Sequence, residues 1–161
     1  MKRHAAVLFL VLFVPFDAGA QTKAAEPSCT SGPYRLQLPK SYTAVRRMGT
    51  LRRDRVIRTE DRGTHTLTYR ELRFNGLELE LVTSSDQPNR YVVSRAIVSS
   101  RAWRIGGPLR VGAPVRSALK GLKATELTSD REMEFSGDKD SIRVNVARNR
   151  ILDFEYLCFT D

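Results

Sequence analysis

Apolar positions along this chain follow two periods: alternation, which marks strands, and spacings of three and four, which mark helices. "PYRLQL" puts Tyr34, Leu36 and Leu38 on one face and predicts a strand. "PKSYTAVRRMG" follows as a short helix with Ser41 as N-cap and Gly49 as stop. The β-branched runs "RVIRTE" and "THTLTY", parted by "DRG", predict a hairpin. The sharpest local pattern is "ELRFNGLELELV". A type I′ turn at Asn75-Gly76, with positive φ at both residues, sets Phe74 beside Leu77 and Leu72 opposite Leu79. Glu78 and Glu80 then face water. "YVVSRAIV" supplies a further strand after the polar turn "SSDQPN".

"GGPLRVGAPVRSALKGLKA" (106–124) reads as a glycine turn, a short strand, a second turn and a compact helix. Gly106 and Gly107 end the preceding strand region, and Pro114 takes the first helical position. Val115, Ala118, Leu119 and Leu122 form the apolar stripe, and Gly121 closes the helix. Three strands follow in "EMEF", "SIRVNV" and "ILDFEYLCF", the last with Leu152, Phe154, Tyr156 and Cys158 on one face. The pattern predicts one compact α+β domain over 29–161, an antiparallel β-sheet packed against short helices. Its halves, 29–105 and 106–161, each read as a short helix followed by a meander, which suggests two degenerate repeats.

The ends add a location. Lys2, Arg3 and His4, the twelve-residue apolar run Ala5–Phe16, and "AGA" at 18–20 are the three parts of a signal peptide over 1–20. Twelve helical residues span only about 18 Å, too short for a membrane anchor, and no later stretch approaches spanning length. Residues 21–28 read as a flexible lead-in. A periplasmic or secreted location follows, and in that oxidising setting Cys29 and Cys158 pair. The bridge would limit unfolded-state entropy by roughly 4–5 kcal/mol in the chain-entropy model.

Charge changes the picture less. The chain carries 27 Lys and Arg against 18 Asp and Glu, a net +9. Arginines are dense from Arg46 to Arg58, and Arg46, Arg47, Arg52, Arg53, Arg55 and Arg58 are the candidate anion- or partner-binding residues. A solvated basic surface explains the same residues. A protein partner or an envelope polyanion fits this balance; nucleic acid does not, because the location is wrong and no aromatic–basic interleaving of a binding module occurs.

Catalytic candidates are few. Beyond the signal, His65 is the one histidine, so neither a triad nor a histidine-rich metal site can be assembled from it. There is no GxSxG elbow, and paired cysteines leave no thiolate. The pairs Glu78/Glu80 and Glu132/Glu134 alternate with apolar residues, as a solvent face does, although paired carboxylates serve glycosidases. "DKDS" (138–141) lacks the rest of a calcium loop, and the glycines of 106–121 fit neither a Walker nor a dinucleotide pattern. No cofactor or metal is expected.

Val111, Gly112, Val115, Leu119, Gly121 and Leu122, followed by a meander, resemble the helix-entry motif of small exported proteins. These are the SmpA/OmlA-type outer-membrane assembly lipoproteins and the tandem-repeat β-lactamase inhibitor protein. Two departures stand out: no lipid-modified cysteine follows the signal, and a disulfide between the chain ends differs from their usual pattern. The resemblance implies a sheet-and-helix scaffold for protein binding and supplies no site residues. The expectation is a non-enzymatic envelope binding protein of the protein-binding, inhibitor or immunity type. A small envelope hydrolase and an envelope-assembly factor are the alternatives.

Overall fold

The computed structural model describes residues 27–122, 126–129 and 131–159. The expected signal peptide (1–20) and residues 21–26 of the expected lead-in lie outside them. Pro27, at the end of that lead-in, is buried. Eight strands form one antiparallel sheet: β1 (Leu51–Asp61), β2 (Thr66–Phe74), β3 (Leu77–Ser84), β4 (Gln87–Val98), β5 (Glu126–Ser129), β6 (Glu132–Ser136), β7 (Asp140–Ala147) and β8 (Arg150–Cys158). Their order is β1-β2-β3-β4-β8-β7-β6-β5. Each run of four is a meander, and the two meet where β4 lies antiparallel to β8 from Arg95↔Leu157 to Val98↔Phe154. The short helices α1 (Tyr42–Arg46) and α2 (Val115–Ala118) each precede one meander.

Alternation decides which face is buried. Leu72, Leu77, Leu79 and Leu81 have no exposed surface, and the register Leu72↔Leu79 and Phe74↔Leu77 is as the pattern predicts. Each such leucine contributes about 1.5–3 kcal/mol by burial. The cover comes from Val45 of α1, Ala118 and Leu119 at α2, and the connectors carrying Tyr34, Ile105 and Leu109. Ser41 Oγ accepts the Ala44 N–H at 3.3 Å, the expected cap of α1.

Several expectations need correction. "PYRLQL" is not a strand; it crosses the buried face as cover, because both of its hydrogen-bonding anchors are connectors. The Leu36 N–H donates to the Cys29 carbonyl at 3.0 Å and the Gln37 N–H to the Ile105 carbonyl at 2.7 Å. Tyr156 O–H donates to the Tyr34 carbonyl at 2.6 Å, and Tyr34 O–H to the Lys120 carbonyl at 2.8 Å, tying β8, this segment and the end of α2 together. The Asn75-Gly76 turn is not type I′: Gly76 has φ +72° but Asn75 is not in the positive region. The segment after β4 shapes that turn, with the Trp103 indole N–H donating to the Asn75 carbonyl at 2.8 Å. Positive φ at two successive turn residues occurs instead at Arg148 (48°) and Asn149 (60°), between β7 and β8.

Leu152 is 51% exposed, against the expectation that it faces inward with Phe154. A bulge is the reason: Val146 pairs with Ile151 and Asn145 with Asp153, so Leu152 is the extra residue and Ile151 is buried in its place. "PLRV" forms only the bridge Gly106↔Leu109, and β4 ends at Val98, so the glycine pair lies within an irregular connector. Pro114 is the N-cap of α2 rather than its first residue. Strand β5 pairs with β6 and has no counterpart in the sequence pattern.

Candidate functional site

One face of the sheet lies under the helices and connectors; the other carries charge from β1 to β6. Odd-numbered residues of β2 point there, since Leu72 and Phe74 point inward. Glu71 is at the centre of the first cluster: Arg55 Nη2 lies 2.8 Å from its Oε2, and Arg73 Nε 2.9 Å from its Oε1. Arg53 stands 3.8 Å away, and Arg73 reaches on to Glu78 at 3.5 Å. The second cluster joins the two meanders. Arg95 contacts Glu80 at 3.4 Å and also Glu155, which Arg143 contacts at 3.3 Å. Arg143 continues to Glu132 at 2.8 Å and Glu134 at 3.5 Å.

Cations and carboxylates therefore alternate over seven strands. The register sets Glu71 directly opposite Glu80, a like-charge pair that flanking arginines neutralise. Glu71 is only 6% exposed. Its hydrogen bond from Arg55, aided by Arg73 and opposed by burial, holds its carboxyl below the usual range. Bonding to Glu155 likewise raises Arg95. Arg73 Nε and Arg143 Nε are close to carboxylates yet lack hydrogen-bond geometry, so these contacts act by charge rather than alignment. Ile97 of β4, between Glu78 and Glu155 in the register, is partly exposed, as is Leu157 opposite Arg95.

The structure divides the candidate arginines. Arg53 and Arg55 belong to the Glu71 cluster. Arg46 turns to the other side and pairs with Asp54 at 2.9 Å, beside Arg70 and the Tyr42 hydroxyl. Arg58 stacks 3.8 Å above the Tyr69 ring and pairs with Glu60 at 3.2 Å. Arg47 and Arg52 are exposed and carry no ion pair among the described residues. The sequence run is thus no single cationic patch. Glu78, Glu80, Glu132 and Glu134 share the open face, each beside an arginine. Arg73, Arg95, Arg143, Glu71 and Glu155 were not singled out by the sequence reading. Their signal was alternation with core residues on four strands, but only the strand order brings them together.

Cationic side chains also meet at the turn before α2. Arg150 Nη1 donates to the Gly112 carbonyl at 2.7 Å, and a side chain at Gly112 would approach Arg101 Nε to 2.5 Å. Neither arginine has a carboxylate partner among the described residues.

His65 borders an open depression of about 440 Å³ with Leu67, Ser84, Asp86 and Tyr91. The Ser84 hydroxyl bonds to Asp86, and His65 Nδ1 lies 3.0 Å from the Thr64 hydroxyl. The Thr64–His65 contact joins exposed neighbours, and no carboxylate hydrogen-bonds the imidazole among the described residues, so the oriented nucleophile–base arrangement that acyl transfer requires is not assembled. Cys29 and Cys158 form the expected disulfide, Cα–Cα 5.9 Å. Asp140 lies within 4.8 Å of both sulfurs, but a disulfide offers no thiolate to a metal. Instead Asp140 accepts the Cys29 N–H at 2.7 Å and the Phe159 N–H at 3.3 Å.

No family model, curated protein or solved structure matches this chain. Among the described residues, no helix is long and apolar enough to cross a membrane.

Proposed function

We propose that this chain is an exported, non-enzymatic binding protein of the bacterial cell envelope that recognises a protein partner through the open face of its sheet. One observation carries the reading: an uncovered face on which arginines and glutamates alternate across seven strands, already paired. Side chains fixed before contact lose less freedom on binding. An ordered pattern of both signs selects a partner by complementarity rather than by net charge. The signal-like first twenty residues and the disulfide support a periplasmic or secreted setting. The order of short helix then four strands, found twice, supports degenerate repeats and the scaffold of the tandem-repeat inhibitors. An inhibitor and an immunity protein are both within this reading.

The test is capture from envelope extract over a salt series. We expect a saturable partner that is retained by the Arg116→Glu protein and lost by Glu155→Lys. Equal capture by both variants, or none by the wild type, would sink the proposal. Arg101 and Arg150 at Gly112 favour a second reading, an envelope polyanion; polyphosphate binding lost in the Arg101→Ala/Arg150→Ala protein would support it. A hydrolase centred on the His65 depression would need turnover that His65→Ala abolishes. An assembly factor would show a barrier defect on deletion.

A further inference from the structure

We propose that the groove between the first half of β4 and the disulfide binds an extended acidic segment of a partner protein as an added strand. This site lies at one end of the sheet, away from the Arg–Glu array, and does not depend on what the open face binds.

The sheet is joined along only part of β4. Its pairing to β8 begins at Arg95, whereas its pairing to β3 continues through Val93 and Val92 and, past an irregularity, is taken up again at Gln87. On the far side β8 ends at Cys158, which pairs with Asp140 of β7. Between these strands lies a groove of about 710 Å³, within the usual size range of ligand clefts. Arg90, Tyr91, Val92 and Val93 all border it. Val92 and Val93 pair with β3 on one side while pairing to β8 starts only at Arg95, and the register irregularity between Val92 and Gln87 lets Arg90 and Tyr91 border the same groove. Pro88 lies in that irregular stretch, where a residue that gives no N–H to a ladder is tolerated. A strand edge without a neighbour is a template for another chain, and extended peptides exploit it.

The walls set the chemistry. Leu36, Leu38, Val93 and the Cys29–Cys158 bridge give an apolar lining. Tyr91 O–H donates to the Pro39 carbonyl, which fixes the segment forming the opposite wall. Val92 at 52% and Phe159 at 68% are among the few large apolar side chains left exposed, and both border this groove. Arg35, Lys40, Arg90 and Lys139 contribute positive charge around it. Among the described residues Asp140 is the one bordering carboxylate, and it accepts the N–H groups of Cys29 and Phe159. An occupant with apolar residues alternating with glutamate or aspartate matches both the lining and the cations. The row of backbone groups favours a peptide over an anionic amphiphile, which has no use for them.

Fluorescence anisotropy with the labelled hexapeptide acetyl-(Glu-Val)₃-amide and the disulfide-bonded chain tests this. Saturable binding is expected, with no binding of the Lys-Val counterpart. The Lys40→Glu/Arg90→Glu protein should bind at least about tenfold more weakly, since like charges then face each other. Methylating alternate backbone nitrogens of the peptide should also weaken binding in one of the two possible phases, a readout that needs no variant protein. The proposal is overturned by absent saturation at low salt, or by binding indifferent to the charge reversal. Laurate displacing the peptide while methylation has no effect would assign the groove to an amphiphile instead.

Discussion

Glu71 is nearly enclosed by the three arginines that approach it, and its folded pKa is lowered. Because the folded value is below the unfolded one, ionised Glu71 stabilises the fold at neutral pH, and that contribution fades as pH falls through the folded value. The Glu71→Gln protein should lose roughly 1–3 kcal/mol at pH 7, with a smaller deficit in acid once pH falls below the folded value. Urea midpoints at the two pH values measure it. Tyr91 behaves in the opposite sense: burial pushes its hydroxyl up to about 12 from an ordinary value of 10.0. Neutral Tyr91 thus stabilises below pH 10 and the benefit is lost as pH rises towards 12, so Tyr91→Phe should flatten the alkaline side of the stability curve. Gly107, at φ +61°, would set a Cβ 2.2 Å from the Pro33 carbonyl oxygen. Gly107→Ala should lower the denaturant midpoint by about 1–3 kcal/mol equivalent. The sequence marked this glycine pair as special but misplaced the reason, since the contact with Pro33 is made by residues 74 positions apart in the numbering.

Hairpins were the most legible elements. The register of β2 and β3 follows from Leu72, Phe74, Leu77 and Leu79 alone, because a shift by one residue would turn one strand's apolar pair to solvent while the other's stayed buried. Strand β8 was legible in extent, and in phase from Phe154 onward but not at its start. "ILDF" offers two adjacent aliphatic residues, and only the bulge in β8, where Leu152 has no partner on β7, decides that Ile151 points inward and Leu152 outward. Leu152→Lys should therefore leave thermal stability within about 0.5 kcal/mol. Ile151→Ala, at 1% exposure, should cost about 2–5 kcal/mol. "PYRLQL" shows the limit of periodicity: alternation reports one covered face, and a connector lying flat on a sheet has one too.

Across the whole molecule, the arrangement of the two meanders was not legible, because nothing local states that β8 rather than β5 meets β4. That choice assembles the Arg95–Glu155–Arg143 cluster and also opens the groove at the unpaired part of β4. The bridge between Cys29 and Cys158 was legible, from the count of two cysteines and the export that the first twenty residues predict. Replacing both cysteines with serine should lower stability by about 2–5 kcal/mol, read as a fall in thermal midpoint that reductant reproduces in the wild type.

That bridge also governs how the protein would respond to mechanical load. A pull applied outside Cys29 and Cys158 travels through two sulfurs and bypasses all eight strands, so the sheet bears almost no tension. The 128 residues between them stay shielded as a closed ring, and only after reduction could unfolding under load release about 430–460 Å of contour.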